Sequence, residues 1–122
     1  MDKSQALQTF WSGFGLPAYD ELSVPDDATL PYITYSVATD SFDNVVGLTG
    51  SLWYRSDSWA EISRKADVIS EHIGEGGSLI RLDSGYLWVT KGTPFAQRMS
   101  DPSDDKIRRI YVSLMAEYLS AN

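Results

Sequence analysis

One segment of this chain is periodic as a helix, and most of what surrounds it is periodic as strands. In residues 58–73, Trp59, Ile62, Ala66, Ile69 and Ile73 recur at steps of three and four, which gathers them into one apolar stripe. Elsewhere the apolar residues recur at every second position, the period of a half-buried strand. In PYITYSVA (31–38) the odd positions Pro31, Ile33, Tyr35 and Val37 form the buried set. In VVGLTGSLWY (45–54) it is the even positions Val46, Leu48, Leu52 and Tyr54, with a gap at Gly50. TDSFDN at 39–44 is turn material, so the two runs read as a hairpin. SLIRL (78–82) and YLWVTK (86–91) flank the tight turn Asp83-Ser84-Gly85 and read as a second antiparallel pair. In KIRRIYVSLMAEYLS (106–120), Arg108, Ile110, Val112, Leu114, Ala116 and Tyr118 share one side of a strand. Ile107, Ile110, Leu114 and Tyr118 also lie near a helical stripe, but the alternation favours a strand.

A first helix is expected near the N-terminus, where Leu7, Phe10, Trp11 and Phe14 share a face. Asp2 with Gln5 supplies a start and Gly13 with Gly15 a stop. For the helix at 58–73, Ser58 and Glu61 match a capping box, Gly74 a C-cap, and Glu61 with Lys65 an exposed i,i+4 pair. Residues 15–31 and 92–105 lack a period and read as irregular connections, the first long enough to be functional. The sum is α-β-β-α-β-β-β: an α+β class, one domain over residues 1–122, an antiparallel sheet of four to five strands with two helices.

Composition then excludes chemistry. Without a single Cys the chain cannot form a disulfide scaffold, a thiolate zinc site or a Cys nucleophile. His72, the one histidine, ends the helix beside its apolar stripe with no nucleophile signature nearby, and a structural role is expected. Asp101, Asp104 and Asp105 fail the calcium-loop pattern, since Lys106 and Val112 stand where Gly and Glu belong; a polar turn is expected. GEGG at 74–77 ends a helix and is followed by no P-loop lysine, so it is no phosphate cradle. No catalytic residue, cofactor or metal is expected. Residues 1–15 have no signal-peptide pattern, and no run reaches the roughly 20 apolar residues of a membrane span. The expectation is a soluble chain made in the cytoplasm, free or joined to a larger particle.

Net charge is −7, and it is uneven: residues 1–50 hold seven acids against Lys3, while residues 51–122 hold ten acids and nine bases. That balance argues against a protein gripping nucleic acid through phosphates. Either the acidic half is a solubilising surface or it repels something anionic. Arg98, Lys106, Arg108 and Arg109 lie among Asp101, Asp104 and Asp105, where ion pairs within or between subunits are expected. Tyr32, Trp53, Trp88 and Tyr111 fall on the outer side of their strands, which suggests a protein–protein surface unless a helix covers them.

Three stretches carry a family resemblance: LPYITYSVATDSF (30–42), LTGSLWYRSDSWAEISRKADVISEHIGEGG (48–77) and GYLWVTKGTPFAQRMSDPSDDKIRRIYVSLMAEYL (85–119). Together they resemble the tail-completion or tail-terminator proteins of long-tailed bacteriophages, a group also labelled minor capsid or head–tail joining proteins. The resemblance implies a non-enzymatic virion protein at the head–tail junction. It further implies subunits that close into a hexameric ring, which ends the tail tube and meets the head connector or stopper, with DNA passing through without specific binding. Another adaptor or stopper ring of the same neck, or an acidic inhibitor module, remains an alternative. Six spheres of about 35 Å, the size of a 122-residue domain, leave a central hole of about the same width. Six chains at −7 carry −42, a charge that repels phosphate. Asp26, Asp27, Asp40 and Asp43 are expected to face that channel. A partner or subunit interface is expected at Trp53, Trp88, Pro94, Phe95, Arg98, Met99, Arg108 and Arg109.

Overall fold

In the computed structural model, which describes residues 3–36, 46–83 and 85–120, helix α1 spans Lys3–Ser12 and helix α2 spans Ala60–Ile73. The strands are β1 (Ala18–Asp20), β2 (Tyr32–Tyr35), β3 (Val46–Arg55), β4 (Ser78–Leu82), β5 (Gly85–Ser100) and β6 (Ile107–Ser120). They form one sheet of six strands in the order β1-β2-β3-β6-β5-β4, antiparallel except for β1 against β2. The class is α+β, with six strands where four to five were expected.

The extra strand is β1, inside the segment read as an irregular connection. Three residues are too few to display an alternation, and β1 exists because β2 lies beside it: Ile33 N–H donates to Pro17 O at 2.8 Å and Glu21 N–H to Tyr35 O at 2.9 Å. The second connection is also shorter than expected. β5 runs on to Ser100 through a register shift between Lys91 and Ala96, so only 101–106 remain as the loop to β6. Within the shift Gly92 lies against β6, where an added Cβ would stand 2.9 Å from Ser113 O. Bulges of this kind break the alternation that a sequence pattern depends on. The 101–106 loop is the expected polar turn. Asp101 Oδ1 accepts from Ser103 N–H at 2.8 Å, and Asp104 Oδ1 accepts from Lys106 N–H at 2.9 Å.

Both helices lie on one face. α2 touches β3, β5 and β6, while α1 reaches β1, β2 and β4, so together they span the sheet. Ile62, Ala66, Ile69 and Ile73 of α2 are buried as the stripe predicts, in one core with Leu48, Leu52, Leu87, Val89, Ile110, Val112 and Leu114. The strand reading of 106–120 holds, with Ile110, Val112, Leu114 and Ala116 all buried. The gap at Gly50 is filled from α1: Trp11 lies so close that a Cβ on Gly50 would be 2.7 Å from the indole. Trp11 also stacks on Tyr35 at 6.4 Å and meets Phe10 and Phe14 edge-on.

The start of α2 differs from the expected cap, while its end carries the expected glycine. Trp59, not Ser58, is the N-cap of α2, which places Glu61 one position too early for a capping box. Ser58 Oγ instead accepts from Ala60 N–H at 3.0 Å. Gly74 takes a positive φ of 65° at the C-cap. Lys65 donates to Phe14 O at 2.7 Å, tying α2 to the end of α1. His72 is exposed and sets its ring edge-on to Phe14 at 5.3 Å, a packing role.

Candidate functional site

The face of the sheet away from the helices has no cover among the described residues. Strand register orders it into rows. Tyr32 pairs with Trp53, Trp53 with Arg109, and Arg109 with Met99, a row across β2, β3, β6 and β5. Tyr19 extends it from β1, its ring edge-on to Tyr32 at 5.7 Å. Beside that row run Thr34, Ser51, Tyr111 and Gln97. At the far end of the face, Glu117 pairs with Trp88 and Trp88 with Leu79, and Leu119 pairs with Tyr86. Small polar residues, Thr49, Ser113 and Thr90, separate the two ends.

The near end is a fixed arrangement. The Arg109 guanidinium lies 4.6 Å over the Trp53 ring and 5.8 Å from Tyr111, and its Nε donates to Ser51 Oγ at 3.0 Å. Trp53 Nε1 donates to Thr34 Oγ1 at 2.9 Å. Arg109 and Trp53 thereby roof Ser51 and Thr34, which are buried although they stand on the uncovered face. Stacking and one hydrogen bond remove most of the rotamer freedom that a long cation would otherwise lose on binding. At the far end Trp88 is held by a hydrogen bond to Gly76 O at 2.9 Å.

Six of the large apolar or aromatic side chains that remain exposed belong to this face: Leu79, Tyr86, Trp88, Met99, Met115 and Leu119. Aromatics, Met and Arg are the residue types enriched where proteins bind one another.

The residues expected at an interface divide between two faces. Trp53, Trp88, Met99 and Arg109 gather on the uncovered one. Arg98 and Arg108 turn to the helix side and flank Trp59, at 5.0 and 5.3 Å from its ring. Arg108 also donates to Asp105 O at 2.9 Å and to Asp57 O at 3.1 Å, stapling the start of α2 to the β5–β6 loop. Phe95 packs against the core, and Pro94 is exposed in the bulge. The expected ion pairing is seen within the chain at two members of the cluster, Asp104 with Arg55 at 2.7 Å and Lys106 with Asp57 at 3.7 Å. Asp26 and Asp27 are exposed in a turn closed by Ala28 N–H to Pro25 O at 3.1 Å. Asp40 and Asp43 lie outside the described residues. Sequence reasoning missed Tyr19, Leu79, Tyr86, Met115 and Leu119. For Leu79, Tyr86, Met115 and Leu119 the signal was the non-buried half of their strands' alternation; Tyr19 lies in β1, which is too short to show one.

Two raised tyrosines belong to the covered side. Burial lifts Tyr35 and Tyr54 above the usual phenol range, with Asp20 adding to the first and Glu61 to the second. Among the described residues no group of three or more His, Asp or Glu could hold a metal ion. No helix there is long and apolar enough to cross a membrane.

No family model matches this chain, and no curated protein matches it. The fold does have a solved counterpart. A chain in the virion of a native gene transfer agent particle superposes with a TM-score of 0.60, over 96% of this chain and 91% of that one. The two are 19% identical, so what they share is the fold.

Proposed function

We propose that this chain is a structural, non-enzymatic subunit of a phage-like virion. It forms a hexameric ring at the head–tail junction that ends the tail tube, meets the head connector and lets DNA pass. The observation that carries this reading is the fold shared along nearly the whole chain with a protein of a virion particle. The uncovered sheet face supports it, since a subunit that works only in an assembly keeps apolar and aromatic surface for its neighbours. Trp53, Trp88, Met99 and Arg109 are the contacts we assign to it. Asp26, Asp27, Asp40 and Asp43 are assigned to the channel, where negative charge lets DNA slide without adhering.

Cryo-EM of particles from a host carrying this gene tests the reading. A six-fold ring of this chain between tube and connector is expected. Its absence from the particles, or a place in the head shell, ends the proposal. Changing the four channel acids to Lys shifts each subunit by +8 and six by +48. Rings of that variant should bind DNA with steep salt dependence; rings indifferent to DNA would remove the channel assignment alone.

A further inference from the structure

The connection between α1 and β2 holds an unusual exposed leucine. Leu22 is 89% exposed, the most open of the large hydrophobic residues among those described. It is also held in place. Leu22 N–H donates to Asp20 Oδ1 at 3.0 Å, and Ser23 N–H donates to Asp20 O at 2.9 Å. The turn is anchored through Glu21 N–H to Tyr35 O at 2.9 Å. An apolar knob therefore stands in water on a closed turn, and it does not fold back onto its own sheet. Residues 16–31 around it carry Asp20, Glu21, Asp26 and Asp27 with no Lys or Arg, a local charge of −4.

The near end of the uncovered face has the complementary properties. Arg109 is fixed against Trp53 and Ser51, and its two Nη groups make no hydrogen bond or ion pair among the described residues. Opposite it in register stands Met99, 38% exposed, with Tyr111 two residues along β6. A flexible thioether beside an aromatic ring is an adaptable seat for a branched aliphatic side chain. A stacked guanidinium is a ready partner for a carboxylate.

We infer that the Leu22 turn of one copy docks on the Arg109–Tyr111–Met99 patch of the next. Leu22 packs on Met99 and Tyr111, and the Glu21 carboxylate meets the Arg109 guanidinium. The occupant is a second copy because this one chain carries both halves, an acidic turn with an apolar tip and a cationic aromatic patch without cover. The two halves are different surfaces, so the contact is head-to-tail, the type that closes into a ring when its rotation permits. Asp26 and Asp27 belong to the next turn along and stay outside the contact. The inference rests on the ring reading above and gives that ring its subunit interface.

Disulfide trapping tests it against no background, because the chain has no Cys. Leu22→Cys and Met99→Cys proteins are mixed and oxidised, with Leu22→Cys plus Val68→Cys as the control, since Val68 is exposed on α2. The first mixture should give a mixed dimer at least about tenfold in excess of the control. Equal yields, or no dimer from either, overturn the interface. Charge exchange is the second arm: Glu21→Arg and Arg109→Glu should each weaken self-association by about tenfold, and the double variant should recover most of it. Glu21 is exposed, so its variant reads the contact without risk to folding. Failure of the double variant to recover, with both single variants folded and weakened, also overturns the pairing. The two readings fail separately. If the chain sits as a ring in virions but no trap forms, the interface is wrong and the function stands. If the trap forms but the chain is absent from virions, the function is wrong and the contact stands.

Discussion

On the covered face of the sheet, Leu48, Leu52, Ile110, Val112 and Leu114 are at most 4% exposed; on the other face Leu79 is 58% and Met115 44% exposed. The same sheet supplies both sets, since successive side chains of a strand point to opposite faces. Two helices suffice to roof one face of six strands, and nothing among the described residues roofs the second. The covered face is closed by shape: Trp11 enters the space Gly50 leaves, and four residues of α2 pack beside it together with Ala6, Leu7 and Phe14 from the first helix and its end. The uncovered face is organised by direction: indole and guanidinium groups hydrogen-bond and stack so that they keep one orientation. A core needs volume matched and polar groups absent, whereas a surface awaiting a partner needs large groups that already hold their bound geometry.

The sharpest way to break this contrast is to damage the covered face. Ile69→Ala should cost about 2–5 kcal/mol, because Ile69 is fully buried on the inner side of α2. A loss in denaturant unfolding below about 0.5 kcal/mol, typical of surface sites, would reverse the assignment of faces. Next in size is Gly50→Ala. The new methyl would stand 2.7 Å from the Trp11 ring, and overpacking of this kind costs about 1–3 kcal/mol. Thermal unfolding should show the loss, and Trp11→Leu in the same chain should relieve part of it. A Gly50→Ala protein as stable as the parent would mean that Trp11 does not occupy this gap.

Lys65→Met removes the tie between the helices and leaves Phe14 O without its 2.7 Å donor. A loss of about 1 kcal/mol is expected, the usual net worth of one hydrogen bond. On the uncovered face the effect should be smaller still. Met115→Ser should change monomer stability by no more than about 0.5 kcal/mol. A loss as large as that of Ile69→Ala would show that this face is packed.

The smallest effect belongs to the loop from β5 to β6. The Ser103 hydroxyl and N–H hold the Asp101 carboxyl below the usual carboxylate range. The Lys106 N–H, followed by Arg55, does the same for Asp104. Both folded values lie below the unfolded ones. The loop's contribution is therefore fully present above pH about 4 and is lost as pH falls through the lowered folded values. The Ser103 and Lys106 amide resonances should stay constant from pH 7 to about 5 and move only in more acidic solution. Movement centred at or above the ordinary carboxylate range would contradict the bonding described.

Much of this fold can be read from local pattern. The stripe Ile62, Ala66, Ile69 and Ile73 and the alternation from Ile110 to Ala116 depend only on the period of helix and strand, so they mark α2, β6 and the buried face of each. The turn at 101–106 depends on Asp and Ser bonding their own backbone, again within a few residues. What local pattern does not contain is partnership at a distance. β1 is a strand only because β2 supplies its hydrogen bonds. β5 reaches Ser100 only because β6 accepts it beyond the bulge. The candidate site divides the same way. Large aromatics at Trp53 and Trp88 announce a surface from sequence. Which arginine serves that surface is decided by the pleat: Arg108 and Arg109 are adjacent in the chain, yet one turns under the sheet to Trp59 and the other over it to Trp53. Sequence determined that a sheet with two unlike faces would form. Only the tertiary structure decided the order of the strands and which residues stand side by side on the face left to meet a neighbour, because that depends on contacts between segments far apart in the chain.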